Sequence, residues 1–410
     1  MAKKHTSKSI AIYSLIVLCV FCFGYFLISY AGIFDNKLEY VSTEISGKDK
    51  SLENVDSQTD IALSLNGANV DTDEVPVTHI TTPDKVKALY MSSWVAGSGD
   101  FRKSLIKIID ETELNAVVID IKDSTGRIGF KINDPEIEKW GSVENRVRDI
   151  KQFISILHSK NIYVIGRISV FQDPYMTKLK PEWAIKRLSD GGVWKDRKGL
   201  SFLDPTKVEV HDYILKIAKG SYDLGFDEIN LDYIRYPSDG NMKDINYNLK
   251  EGKTRADNIE EFFKHFSTEL KKEINIPLSG DLFGLTTEAK DDMGIGQVWE
   301  KAIHYFDFLC PMVYPSHYPN GHAGYNNPSL YPYEVIDQAL KGAKIKSESV
   351  GETVAKTRPW LQDFDLGATY TKELIRKEIQ AVYDNGIDSW MLWDPSNKYT
   401  PQALLVEKSN

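Results

Sequence analysis

The residues most able to do chemistry are two aspartates, Asp232 and Asp281. Asp232 lies in DEINLDYIRYP, residues 227–237. There Ile229, Leu231 and Tyr233 alternate with Asn230 and Asp232, which is the period of a strand. The odd positions can face covering helices, and the even ones then set an amide and a carboxylate on the opposite face. A buried, ionised Asp is costly unless it is paired or used. Arg235, Tyr236 and Pro237 follow directly, and the proline ends regular pairing. Asp281 lies in a second apolar run, IPLSGDLFGL, residues 276–285. Two carboxyl groups at neighbouring strand ends are the equipment for cutting a glycosidic bond, with one protonated and one ionised. In that chemistry Asp232 is the nucleophile, held ionised by Arg235. Asp281 is the acid/base, and the neighbouring Leu282 and Phe283 favour its protonated form. The plain alternatives are an Asp232–Arg235 pair that only closes a strand, and an Asp281 that caps a helix or pairs with Arg167. Asp120 and Asp394 rival Asp281 for the second role.

Such groups need a frame. Strand-like and helix-like periods alternate from Val86 to the end of the chain. Strands are expected at 87–94, 116–123, 162–171, 227–236, 276–285, 306–314, 357–364 and 386–394. Helices are expected at 100–114, 143–160, 208–224, 258–274, 298–305, 333–344 and 371–385. Eight strands separated by helices predict a parallel sheet closed into a (β/α)8 TIM barrel over residues 85–405. An open doubly wound sheet lacks support, because no glycine-rich dinucleotide loop follows the first strand.

The functional face of such a barrel is the C-terminal end of its strands. Polar residues expected there are Asp120, Lys122, Asp123, Arg167, Asp232, Arg235, Tyr236, Asp281, Tyr314, His317 and Asp394. Trp94, Phe171, Phe283, Tyr318, Trp360, Trp390 and Trp393 supply flat rings beside them. Carboxylates interleaved with aromatics suit a sugar cleft, since the C–H faces of sugar rings stack on Trp and Tyr. Asp120, Lys122, Arg167, Arg235, Tyr236, Tyr314, His317, Trp393 and Asp394 are therefore the expected substrate contacts. Lys122 is read as balancing Asp120 and Asp123.

Composition bounds the class. The 410 residues are 42% hydrophobic and carry a net charge of −9, which argues against a nucleic-acid partner. Lys3, Lys4 and Lys8 precede an uncharged apolar run from Ser9 to Phe34, long enough to cross a bilayer. Residues 1–34 are expected to be an uncleaved membrane anchor, with a cleaved signal peptide as the alternative. Residues 35–84, polar and aperiodic, read as a flexible spacer outside the membrane. Only Cys310 lies beyond the anchor, so neither an internal disulfide nor a cysteine zinc site is available. No cofactor is expected. His304, His317 and His322 raise a metal-dependent deacetylase, but the spacing of the last two is not that of a helical ligand pair. No serine-hydrolase elbow is present.

The segments KALYMSSWVAGS, NAVVIDIKDSTGRIGF, GFDEINLDYIRYPSDG, FLCPMVYPSHY and SWMLWDPSN together resemble a bacterial family of exported TIM barrels. That family is named for a glycoside hydrolase domain and long classed as a domain of unknown function. The resemblance runs from about Val86 to Thr400. It is distantly similar to the α-amylase-like barrels, where an Asp ending strand four is the nucleophile and a Glu ending strand five is the acid. Asp232 matches the first position, and Asp281 stands where the Glu would be, one methylene shorter. The third carboxylate of those enzymes, after strand seven, has no match. The resemblance implies a barrel with a carbohydrate substrate. The expected function is hydrolysis of an extracellular or cell-wall polysaccharide. The alternatives are a barrel that binds glycan without cutting it, and the deacetylase.

Overall fold

Parallel strands buried on both faces need near-continuous apolar sequence, and AVVIDIK at residues 116–122 is the clearest case. All seven of its residues are buried. The computed structural model of the protein describes residues 75–406. Eight parallel strands form one closed barrel, each paired with its neighbours in sequence and the last with the first. They are β1 (Lys87–Met91), β2 (Ala116–Lys122), β3 (Tyr163–Ser169), β4 (Glu228–Asp232), β5 (Leu278–Phe283), β6 (Phe308–Met312), β7 (Trp360–Gln362) and β8 (Trp390–Trp393). The connecting helices are α1 (Gly99–Glu111), α2 (Ile150–Ser159), α3 (Val208–Tyr222), α4 (Arg255–Glu273), α5 (Trp299–Ala302), α6 (Pro332–Ser349) and α7 (Lys372–Asp384).

Helix α4 shows how the sequence drives the outer layer. Thr254 and Asp257 form a capping box at its start, and Lys271 and Lys272 sit in its last turn, each matching the helix dipole. Its buried face carries Ile259, Phe262, Phe263, Phe266 and Leu270. Phe262 meets Phe171 edge-on at 4.9 Å, tying the helix to the chain leaving β3. Gly166 in β3 has no room for a side chain: a Cβ there would lie 2.3 Å from Ile121 Cδ1.

The alternation read in residues 227–237 holds within the strand. Ile229 and Leu231 join the hydrophobic core, while Glu228, Asn230 and Asp232 bond to polar groups on neighbouring strands. At the start of the strands Glu228 is fully buried and pairs with Arg358 at 2.8 Å. It also accepts from Tyr163 at 3.1 Å and Ser279 at 2.6 Å. This polar plug lies at the end of the barrel away from the mouth. Cys310 is buried and unbridged.

Several boundaries differ from expectation. Helix α2 starts at Ile150 rather than at residue 143, because the Arg146 and Val147 backbone N–H groups donate to Gly129 O instead of continuing a helix. The excursion over 172–206 contributes Lys186–Arg187 to a two-stranded antiparallel ribbon with Ile245–Asn246. Residues 78–82, placed in the spacer on composition, are bonded to the barrel. The Ile80 N–H donates to Asp227 at 2.8 Å, and Thr78 and Thr82 meet His158 and Tyr163. The expected anchor and most of the spacer lie outside the described residues. Among the described residues, no helix is long and apolar enough to cross a membrane.

Candidate active site

The site is built from the C-terminal halves of β1 to β5, with Trp360 from the start of the short β7 and Trp393 from the end of β8. In the β4–β5 ladder Asn230 pairs with Ser279 and Leu231 with Gly280. Asp232 and Asp281 therefore occupy the next step on adjacent strands, about 5 Å apart at the backbone. One guanidinium organises the carboxylates around them. Arg167, from β3, donates to Asp232 Oδ2 through Nη2 at 2.5 Å and Nε at 3.1 Å, and to Asp120 Oδ1 through Nη1 at 2.6 Å. Asp120 Oδ2 accepts from the Tyr90 hydroxyl at 2.5 Å. Tyr90 stacks on Trp393 with centroids 4.0 Å apart, and the Arg167 guanidinium lies 5.1 Å from the Trp393 ring.

Asp232 Oδ1 accepts from the N–H of the next residue, Tyr233, at 2.6 Å. Tyr233 holds φ at 53°, a left-handed conformation that a bulky residue adopts only at a cost of about 1–3 kcal/mol. That kink turns the chain directly after the carboxylate. Asp232 consequently pairs with Arg167 rather than with Arg235. Arg235 donates to Tyr236 O at 3.1 Å and lies over the Phe283 ring at 4.6 Å. The expected Asp232–Arg235 pair is thus replaced by Asp232–Arg167.

Asp281 keeps different company. Its Oδ1 accepts from Trp360 Nε1 at 2.8 Å and Asn230 Nδ2 at 2.9 Å, both neutral donors. It caps no helix, and the two carboxylates bonded to Arg167 are Asp120 and Asp232. Burial, and next the charge of Asp232, push the Asp281 carboxyl well above the usual range. Asp120 is pushed up to about 6, chiefly by burial and against the pull of Arg167. Gln297 braces the pair from behind: its amide donates to Asp281 O and Ile234 O, and its oxygen accepts from Phe283 N.

The other expected contacts divide. Trp393 is part of the cluster. Tyr314 and His317 lie by the end of β6, ring centroids 5.3 Å apart, with Phe364 against both. Burial lowers His317 to about 4. Asp394 closes its own loop, accepting from Ser396 and Lys398. Two expectations are corrected. Tyr236 is fully buried and points outward, bonded to Asn258 and Tyr247 O, because the turn at Tyr233 sends it toward α4. Lys122 is also fully buried, and it pairs with Asp173 at 3.0 Å and donates to Ser169 O rather than balancing Asp120. A register shift between Asp120 and Lys122 separates their directions. Asp123 is instead balanced by Arg146 at 2.5 Å.

As well as Gln297, sequence reasoning missed Tyr90. Its signal was its place two residues after Ala88 in β1, on the face alternate to Leu89. Among the described residues, no three of His, Cys, Asp and Glu gather in a way that could hold a metal. His304 and His322 lie beside Glu352 and Glu288 instead.

Comparison with solved structures places this barrel among known ones. The glycoside hydrolase domain of PgaB (BpsB) from Bordetella bronchiseptica superposes with a TM-score of 0.57 at 12% identity, covering 80% of this chain and all of its own. That likeness is one of fold. A hypothetical protein from Ruminiclostridium thermocellum is 32% identical over 50% of this chain and 98% of its own, with a TM-score of 0.42. An α-L-fucosidase from Paenibacillus thiaminolyticus matches at 13% identity and a TM-score of 0.49, over 78% of this chain and 47% of its own. No curated protein matches the sequence. A family model described as "putative glycosyl hydrolase domain" matches residues 88–399, almost the whole barrel, and the chain belongs to that family.

Proposed function

We propose that the barrel hydrolyses a glycosidic bond within a polysaccharide, with Asp281 as acid/base and Asp232 as nucleophile. The observation that carries this reading is the unlike company of two carboxyls at one step of adjacent strands. Asp232 accepts from a guanidinium, whereas Asp281 has neutral donors and a raised affinity for its proton. An oxygen that already accepts two N–H bonds is a poor seat for that proton, so Oδ2 of Asp281 carries it. Asp281 gives the proton to the glycosidic oxygen as the bond to the anomeric carbon breaks. The Asp232 carboxylate attacks that carbon and forms a glycosyl-enzyme. Asp281, now ionised, takes a proton from water as the water displaces Asp232. A carboxyl separation of about 5 Å is what this retaining course requires. We place the barrel outside the membrane, held by residues 1–34, on the charge and apolar pattern of that segment alone.

A second reading is a barrel that binds glycan without cutting it. It is favoured by the fact that both oxygens of Asp232 already accept hydrogen bonds. The full chain, screened for reducing ends released from a polysaccharide panel beside Asp232→Asn, decides between them. Cleavage by the wild type and at least a thousandfold loss in the variant is the expected result. Equal cleavage by both would overturn the mechanism. Polysaccharide binding without cleavage would favour the second reading.

A further inference from the structure

Trp94 is 61% exposed and is the largest of the exposed hydrophobic side chains among the described residues. It lies on the short helix Ser93–Ala96, which begins directly after β1, on the face of the barrel that carries Asp232. The ring does not swing freely. The Arg146 guanidinium sits 4.2 Å from its centroid and covers one face. That guanidinium is itself fixed by Asp123 at 2.5 Å, Ser93 Oγ at 2.8 Å and Glu144 at 2.8 Å. The helix is anchored in turn, since Ser92 caps it and the Ser92 N–H donates to Asn397 at 2.8 Å. The outcome is a flat indole held in place with its other face toward solvent.

The surroundings of the ring argue for one kind of occupant. A protein-docking patch is a contiguous apolar surface. Here the ring's partner is the charged Arg146, itself bonded to Asp123, Glu144 and Ser93. A pyranose ring offers what this setting can take: a C–H face for the indole and hydroxyls for the groups around it. Trp94 follows β1 and Asp232 ends β4, with β2 and β3 between them in the barrel wall, so about 10–14 Å separates the two positions of the chain. A sugar on Trp94 and the bond cut at Asp232 therefore belong to different units of one chain.

Resting on the proposed hydrolase reading, we infer that Trp94 is a sugar-stacking platform for a glycan unit remote from the cleavage point, which makes the substrate an oligomer or polymer. The test is affinity electrophoresis of the full chain in native gels containing xylan, galactan, dextran, laminarin or chitosan. At least one of these polymers is expected to retard the wild type. Trp94→Ala then binds that polymer at least tenfold more weakly, and Trp94→Tyr stays within about threefold. Leu188→Ala, which removes an equally exposed apolar side chain elsewhere, leaves retardation unchanged. The platform is overturned if no polymer retards the wild type, or if Trp94→Ala is retarded equally. The two proposals fail separately. Unchanged binding by Trp94→Ala, with cleavage lost in Asp232→Asn, removes the platform alone. Weakened binding by Trp94→Ala, with cleavage intact in Asp232→Asn, removes the mechanism alone.

Discussion

Replacing Arg167 by Met takes one cation away from two buried carboxylates. The guanidinium makes three hydrogen bonds, two to Asp232 and one to Asp120, and both partners are buried. Removing one member of a buried ion pair costs about 3–5 kcal/mol, because the other charge is left uncompensated. The cost must depend on pH, and its sign follows from Asp120. In the wild type this carboxyl is already raised to about 6, and Arg167 is what holds it from rising further. Its folded value exceeds its unfolded one, so its contribution is fully present below about pH 4 and is lost as pH rises through the folded value. Below pH 6 wild type and variant hold the Asp120 proton equally, and their stability gap is flat. Above pH 6 the variant keeps a proton that the wild type has released. The gap then widens by about 1.4 kcal/mol per pH unit until the variant's own carboxyl titrates. Urea unfolding followed by tryptophan fluorescence at pH 5 and pH 8 reads this directly. We expect a deficit of about 1–2 kcal/mol at pH 5 and about 3–5 kcal/mol at pH 8. In an Asp120→Asn background the widening should be much reduced. A deficit under about 1 kcal/mol at pH 8, or one larger at pH 5, would refute the reasoning.

Two other changes probe neighbouring groups. Lys122→Met leaves the fully buried Asp173 unpaired and should cost at least about 3 kcal/mol in urea unfolding, while cleavage per folded molecule stays unchanged. A cleavage defect without a stability defect would return Lys122 to the substrate. Asp363 is pushed up to about 7, chiefly by burial, so the wild type loses stability as pH rises from about 4 to 7. Asp363→Asn should flatten that fall by about 2–4 kcal/mol, and an unaltered pH profile of the urea midpoint would contradict the assignment.

Much of the frame was legible because its period is physical. Strands buried on both faces and helices buried on one leave different apolar patterns, and all eight strands lie inside the spans read from them. The ends were less legible. Thr357–Phe364 reads as strand throughout, yet the strand spans only Trp360–Gln362, since Thr357 forms an isolated bridge with Leu309 and Pro359 has no N–H to join the two into one ladder. The ribbon of Lys186–Arg187 with Ile245–Asn246 joins two loops far apart in sequence, and no local pattern announces such a pairing. At the site, Asp120, Arg167, Asp232 and Asp281 were visible as polar residues in apolar strands. Who pairs with whom was not. Proximity in sequence favoured Arg235 for Asp232, but the positive φ of Tyr233 turns the chain away, and the arginine of the adjacent strand takes the place. The β2 register shift likewise moved Lys122 off the expected side.

The central claim is that Asp281 delivers a proton while Asp232 attacks. The pH dependence of kcat/KM, on whichever polysaccharide the full chain cleaves, tests it most directly in wild type, Asp281→Asn and Trp360→Phe. Trp360 donates to the ionised form of Asp281, so Trp360→Phe raises that carboxyl further and should move the alkaline limb to higher pH. Asp281→Asn should fall by a factor of about 100 to 10,000 and lose the alkaline limb altogether. An Asp281→Asn enzyme that keeps both its rate and its alkaline limb would contradict the account.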